Sequence, residues 1–163
     1  MKKDTKKPEQ FNIIPPDLSQ KEKALELARK DIVTFGQMFL PEDFMKSTPA
    51  PYQYELSNIL LGQEKRVCLI LPRGHAKSTL AKTALLHQLY FAPPEKKQFI
   101  AWVSEEQSQA IDHIKYIQNH IDINPALQYY FGDLKGSKWT EKEFTTARGD
   151  RIIAKGTSQR LRG

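Results

Sequence analysis

Cysteine is nearly missing from this chain: Cys68 is the only one in 163 residues. One thiol cannot build an internal disulfide framework, and so low a count fits a reducing compartment. Long apolar runs are missing too, and none approaches the roughly 20 residues that span a bilayer. The lysines Lys2, Lys3, Lys6 and Lys7 have no hydrophobic segment behind them, so no secretory signal is expected. The four histidines, His75, His87, His113 and His120, stand at no recognised metal-ligand spacing. There is no internal repeat and no low-complexity tract. These gaps leave a cytosolic protein with no membrane role as the expectation.

What is present describes an ordinary globular chain, with 39% hydrophobic and 27% charged residues. A length of 163 residues suits one domain with one core. Lys and Arg outnumber Asp and Glu by 25 to 19, and the net charge of +6 leans toward anionic partners such as nucleotides or nucleic acid. Lys135, Lys138, Lys142, Arg148, Arg151, Lys155, Arg160 and Arg162 are denser near the end, as a nucleic-acid-facing rim or as a solvated face.

Along the chain, residues 1–18 read as a flexible basic lead-in, and residues 19–163 as one partial domain. Ser19-Gln20-Lys21-Glu22 is a capping box, and Leu25, Ala28, Ile32, Phe35 and Phe39 continue it as one amphipathic helix. A connector with Pro41, Pro49 and Pro51 follows. Pro51 then opens a second helix that reaches about Leu61. Arg66-Val67-Cys68-Leu69-Ile70-Leu71 reads as a central strand buried on both faces, with Cys68 inside it. A helix over 78–90, a strand over 98–103, a second capping box at Ser104-Glu105-Glu106-Gln107 and a helix to about His120 come next. Asn124-Pro125 starts a helical turn, residues 132–137 read as loop, and 143–154 as a β-hairpin turning at Gly149 and Asp150. Strand, loop, helix, strand, helix is the unit of a parallel α/β sheet.

The chemistry gathers at Pro72-Arg73-Gly74-His75-Ala76-Lys77-Ser78-Thr79, between the strand-like run and a helix. That is the layout of a phosphate-binding P-loop. Backbone N–H groups and a helix N-terminus surround phosphate, Lys77 adds charge, and a hydroxyl holds Mg²⁺. The usual pattern G-x-x-x-x-G-K-[ST] would have glycines where this chain has Leu71 and Ala76. Arg73 either pairs with a γ-phosphate or is a solvated loop charge.

These residues resemble the deviant Walker A loop of the large terminase subunits of tailed bacteriophages, which typically lacks the first glycine and carries an Arg four residues before the Lys. Pro51-Tyr52-Gln53-Tyr54-Glu55, at 51–55, resembles the adenine-recognising Q motif that precedes the loop in that family. The resemblance covers about residues 30 to 163 and implies a P-loop NTPase-like parallel sheet flanked by helices, with an N-terminal helical extension. It implies Gln53 on the adenine edge with Tyr52 or Tyr54 near the base, Lys77 on the β- and γ-phosphates, and Ser78 rather than Thr79 on Mg²⁺. Arg73 would meet the γ-phosphate. Trp102-Val103-Ser104 falls where the family has a motif near the ATP site or the DNA path. Arg162, with Arg160 in reserve, falls where an arginine finger acts on a neighbouring subunit's nucleotide.

No apolar run ending in Asp-Glu or Asp-Asp follows the last of these segments, so the chain is expected to correspond to the N-terminal ATPase portion, cut before Walker B. The implied function is ATP binding within a motor that drives double-stranded viral DNA into a procapsid. The implied partners are a portal protein, the small terminase subunit and further copies in a ring, in the cytoplasm of a bacterial host. A helicase-like nucleic-acid translocase, or a nucleotide-binding fragment that does not hydrolyse, are the alternatives.

Overall fold

A computed structural model describes residues 18–45, 47–62 and 66–158, without the side chains of Leu18 and Ser19. Seven helices come first to last among these residues: α1 Leu18–Lys30, α2 Ile32–Phe39, α3 Pro41–Phe44, α4 Pro51–Leu61, α5 Lys77–Phe91, α6 Gln107–Ile123 and α7 Pro125–Phe131. The strands are β1 Phe99–Ser104, β2 Lys135–Trp139, β3 Glu143–Thr146 and β4 Arg151–Gly156. They form one sheet in the order β1-β4-β3-β2. β1 runs parallel to β4, and β3 runs antiparallel to both β4 and β2. The architecture is α/β, a four-stranded mixed sheet flanked by helices.

The long N-terminal helix is in fact two helices. Asp31 breaks it by capping α2: its carboxylate accepts from Val33 N–H at 3.2 Å and from Thr34 N–H and Oγ1 at 2.9 and 2.6 Å. The stripe still buries Ala28, Ile32, Phe35 and Phe39 as expected, on both sides of the break. Ile32 N–H donates to the buried Ser57 Oγ of α4 at 2.8 Å, which ties the second helix to the first layer. Phe35, Phe39, Phe91 and Phe131 stack edge-on or tilted at centroid distances of 4.9–6.4 Å and close the core between α2, α5 and α7. On the sheet side α6 buries Ala110, Ile114, Ile117 and Ile121 at helical spacing, over β1 and β4.

The hairpin over 143–154 forms as expected, as β3 and β4. Its turn is anchored by Asp150, which is buried and accepts from Thr146 Oγ1 at 2.7 Å and from Gln98 N–H at 3.0 Å. Arg148 in the same turn donates to Asp150 at 3.2 Å and to the carbonyl of Ala92 at 2.9 Å. One turn thereby joins the end of α5, the start of β1 and the hairpin.

Besides the divided first helix, and a sheet that is mixed where a parallel one was expected, four further expectations need correction. The run 66–71 lies in no strand, and Val67, Cys68 and Ile70 are exposed rather than buried on both faces. Its composition suits a strand, but ladder bonds need a neighbour, and no described strand lies beside it. The segment 132–137 is loop only to Leu134. From Lys135 it is β2, where a Cβ at Gly136 would collide with the backbone carbonyl of Thr145 on β3. The capping box at 104–107 does not form: Ser104 ends β1, and α6 begins at Gln107 with no side-chain cap from Glu106. The connector after Phe39 contains the one-turn helix α3. The Ser19 side chain, the lead-in 1–17 and the terminal 159–163 lie outside the described residues.

Candidate functional site: the loop at the head of α5

The first intrahelical bond of α5 runs from Leu80 N–H to Ala76 O at 2.9 Å. The N–H groups of Lys77, Ser78 and Thr79 therefore have no acceptor inside the helix. No side chain caps this end. Ala76, the residue before the helix, is left-handed at φ 54 and ψ 21, and it is followed by right-handed helix. A left-handed residue next to a right-handed one turns successive N–H groups toward one point, the concavity called a nest, which holds anions. Gly74 is also at positive φ, 87, and no atom lies within 4 Å of where its Cβ would be. The loop is thus an open backbone cradle over a helix N-terminus, with the positive end of the helix dipole behind it.

Lys77 reaches back across this cradle. Its Nζ donates to the carbonyl of Pro72 at 2.8 Å and to the carbonyl of Leu71. The ammonium is held at the mouth of the loop by two neutral acceptors, with no carboxylate among its recorded partners, so its charge is available to an anion. Ser78 is exposed in the first turn, on the solvent side. Thr79 is half-buried, and its carbonyl accepts from Thr83 Oγ1 at 2.8 Å. Arg73 is exposed at the turn, and its carbonyl lies 3.3 Å from His75 Nδ1. Pro72 and Gly74 are exposed as well, and His75 and Ala76 half-buried.

The structure brings α4 to the same loop. Tyr52 OH donates to His75 O at 3.4 Å, and the two rings are 5.7 Å apart. The resemblance implies Tyr52 or Tyr54 near a base; in the structure Tyr52 contacts the loop backbone. Gln53 also caps its own helix. Its Oε1 accepts from Ala50 N–H at 2.9 Å and closes the first turn of α4, while its own N–H donates to Ala50 O at 2.9 Å. That leaves the side-chain NH₂ as the group of Gln53 with no recorded partner. Tyr54 is exposed on α4. Arg160 and Arg162 fall outside the described residues.

A divalent cation here has little protein to bind. Among the described residues no group of three or more His, Cys, Asp or Glu could hold a metal ion. The protein itself would offer such a cation one hydroxyl, that of Ser78, and the remaining ligands would have to come from a bound anion and water. Among the six described residues of the expected basic rim, four stand in ion pairs. Lys135 pairs with Asp122 at 2.9 Å, Lys138 and Arg151 with Glu143 at 2.7 and 2.8 Å, and Arg148 with Asp150 at 3.2 Å. No helix among the described residues is long and apolar enough to cross a membrane.

Sequence reasoning missed a second polar cluster. Lys82, one turn beyond Ser78 on α5, sits 3.6 Å from the centroid of the Tyr116 ring, and Tyr116 OH donates to Asp43 of α3. Burial and then the Asp43 hydrogen bond push the Tyr116 phenol well above its ordinary range. Burial holds Lys82 below its ordinary value despite Asp43. Nothing in the local sequence pattern links residues 43, 82 and 116.

No protein-family model matches this chain, and no curated protein matches it. The resemblance to large terminase subunits therefore rests on the residues quoted above.

Proposed function

We propose that residues 72–79 bind the phosphates of ATP with Mg²⁺, and that the chain is the ATP-binding part of a DNA-packaging motor of the large terminase class. The observation that carries this reading is the backbone of the loop. A left-handed Ala76 and a positive-φ Gly74 lead into an uncapped helix whose first residue is Lys77. Loop shape, free N–H donors and cationic side chain agree, although the sequence lacks both motif glycines. In this reading the loop N–H groups and Lys77 take the β- and γ-phosphates, Ser78 contributes its hydroxyl to Mg²⁺, and Arg73 meets the γ-phosphate. Mg²⁺ supplies charge neutralisation on the phosphate oxygens. The NH₂ of Gln53 is the donor left for an adenine edge, and Tyr52 braces the loop through His75.

The run 66–71, which lies in no strand here, occupies the sequence position of the strand that precedes the loop in a P-loop NTPase fold, and double-stranded DNA, portal protein and small subunit are the partners this reading assigns. The test is functional. In the complete motor, Lys77→Ala is expected to abolish ATP-driven packaging while portal and small-subunit pull-downs stay intact. Undiminished packaging by that variant rules the assignment out.

A further inference from the structure

The peptide joining His75 to Ala76 decides whether the loop is a cradle. Where a left-handed residue precedes a right-handed one, successive N–H groups converge, and here they belong to Ala76, Lys77 and Ser78. None of the three has a recorded acceptor. A trans peptide sets its C=O and N–H on opposite sides, and no cis bond occurs among the described residues. Whatever holds the His75 carbonyl therefore aims the Ala76 N–H. The recorded donor to that carbonyl is the hydroxyl of Tyr52, at 3.4 Å. The Tyr52 ring is half-buried against the core and lies 5.7 Å from the His75 ring. α4 itself is anchored by the buried Leu56 and by Ser57 Oγ, which accepts from Ile32 N–H at 2.8 Å. A separately anchored helix thus delivers this hydroxyl to the loop.

Strain at Ala76 opposes it. An L-residue at φ 54 is strained, and half a turn of the 75–76 peptide would carry Ala76 to negative φ and relieve that strain. The same rotation would swing the Ala76 N–H out of the nest and the His75 carbonyl into it, presenting an oxygen to an anion. We propose that Tyr52 is a positioning residue of the phosphate loop: its hydroxyl, on the His75 carbonyl, holds the 75–76 peptide in the anion-binding orientation against the strain at Ala76. The inference rests on the phosphate-binding reading of residues 72–79. It gives Tyr52 a role in phosphate binding through the loop, where the resemblance implies one beside the base. The bond is long for an O–H donor, so the effect of removing it is modest.

Calorimetric titration of the full chain with inorganic tripolyphosphate and Mg²⁺, and separately with Mg·ATP, tests this. Tyr52→Phe keeps the ring and deletes only the hydroxyl. It is expected to weaken both ligands by the same factor, about threefold, at unchanged helix content. Adding Ala76→Gly to Tyr52→Phe is expected to regain most of that loss, because glycine takes positive φ without strain and no longer needs the hydroxyl. On a wild type that binds tripolyphosphate, undiminished binding by Tyr52→Phe overturns the proposal. So does a loss confined to Mg·ATP, which would place Tyr52 on the base. A loss that Ala76→Gly does not restore overturns it too, since the hydroxyl would then act elsewhere. A wild type that takes up no tripolyphosphate overturns the phosphate-binding reading itself, and this inference with it.

Discussion

Ala76 is the one non-glycine residue at positive φ among those described. Left-handed backbone costs an L-residue about 1–2 kcal/mol, and glycine escapes it. Ala76→Gly is therefore expected to stabilise the fold by about 1 kcal/mol, less a few tenths for the freer unfolded chain, and to preserve nucleotide affinity. Chemical denaturation and ATP titration of the variant check both halves. A loss of stability would mean that the left-handed turn is not what the loop adopts. His87 tests the interior on the other side of α5. Its Nε2 lies 3.1 and 3.0 Å from the carbonyls of Ala28 and Arg29, yet burial outweighs those bonds and holds it below its ordinary value. Burial lowers His113 and His120 in the same direction. A depressed folded value means that the unfolded chain takes up protons first as pH falls. These groups stabilise the fold above about pH 6.5 and lose that contribution below it. Thermal midpoints are expected to fall from pH 7 to pH 5, and His87→Gln to reduce the slope.

Among the elements, the hairpin turn has the clearest consequence. Asp150→Ala removes the acceptor shared by Thr146, Gln98 and Arg148 and leaves the Arg148 guanidinium half-buried without its partner. Loss of one member of a buried pair costs about 3 kcal/mol or more. Urea unfolding should show this as a lower midpoint at unchanged slope, with Asp150→Asn closer to wild type because the amide oxygen still accepts. The sequence made the apolar periodicity of α2, the presence of a helix at α6 and the Gly149-Asp150 turn legible, because local signals suffice for those, although the capping box that marked α6 does not form. It could not show that Asp31 divides the first helix, since the stripe runs on at the same spacing across it. β2 was hidden because Lys135-Gly136-Ser137-Lys138 has no alternation; its place depends on β3. The run 66–71 misled in the opposite sense. It has strand composition, and pairing is a property of neighbours rather than of the run itself.

For the whole molecule, the role proposed for the loop was legible only in part. Lys77 and Ser78 could be picked out by spacing, and the missing glycines counted against them. The left-handed turn at Ala76 is a feature of conformation, which no residue letter encodes, and it supports the proposed role without either glycine. Tyr52 on the loop and the capping contact of Gln53 were beyond reach, because both depend on how α4 packs. A ligand that binds only the folded chain raises its melting temperature by mass action, so Mg·ATP should stabilise the wild type and leave Lys77→Ala where it was. The most direct measurement is calorimetric titration of Mg·ATP into the folded chain, beside Lys77→Ala at matched helix content. One site per chain is expected, weakened at least about tenfold by the substitution, a loss of about 1.4 kcal/mol or more. Folded wild type that takes up no ATP, or Lys77→Ala that binds it equally well, would contradict the assignment of this loop.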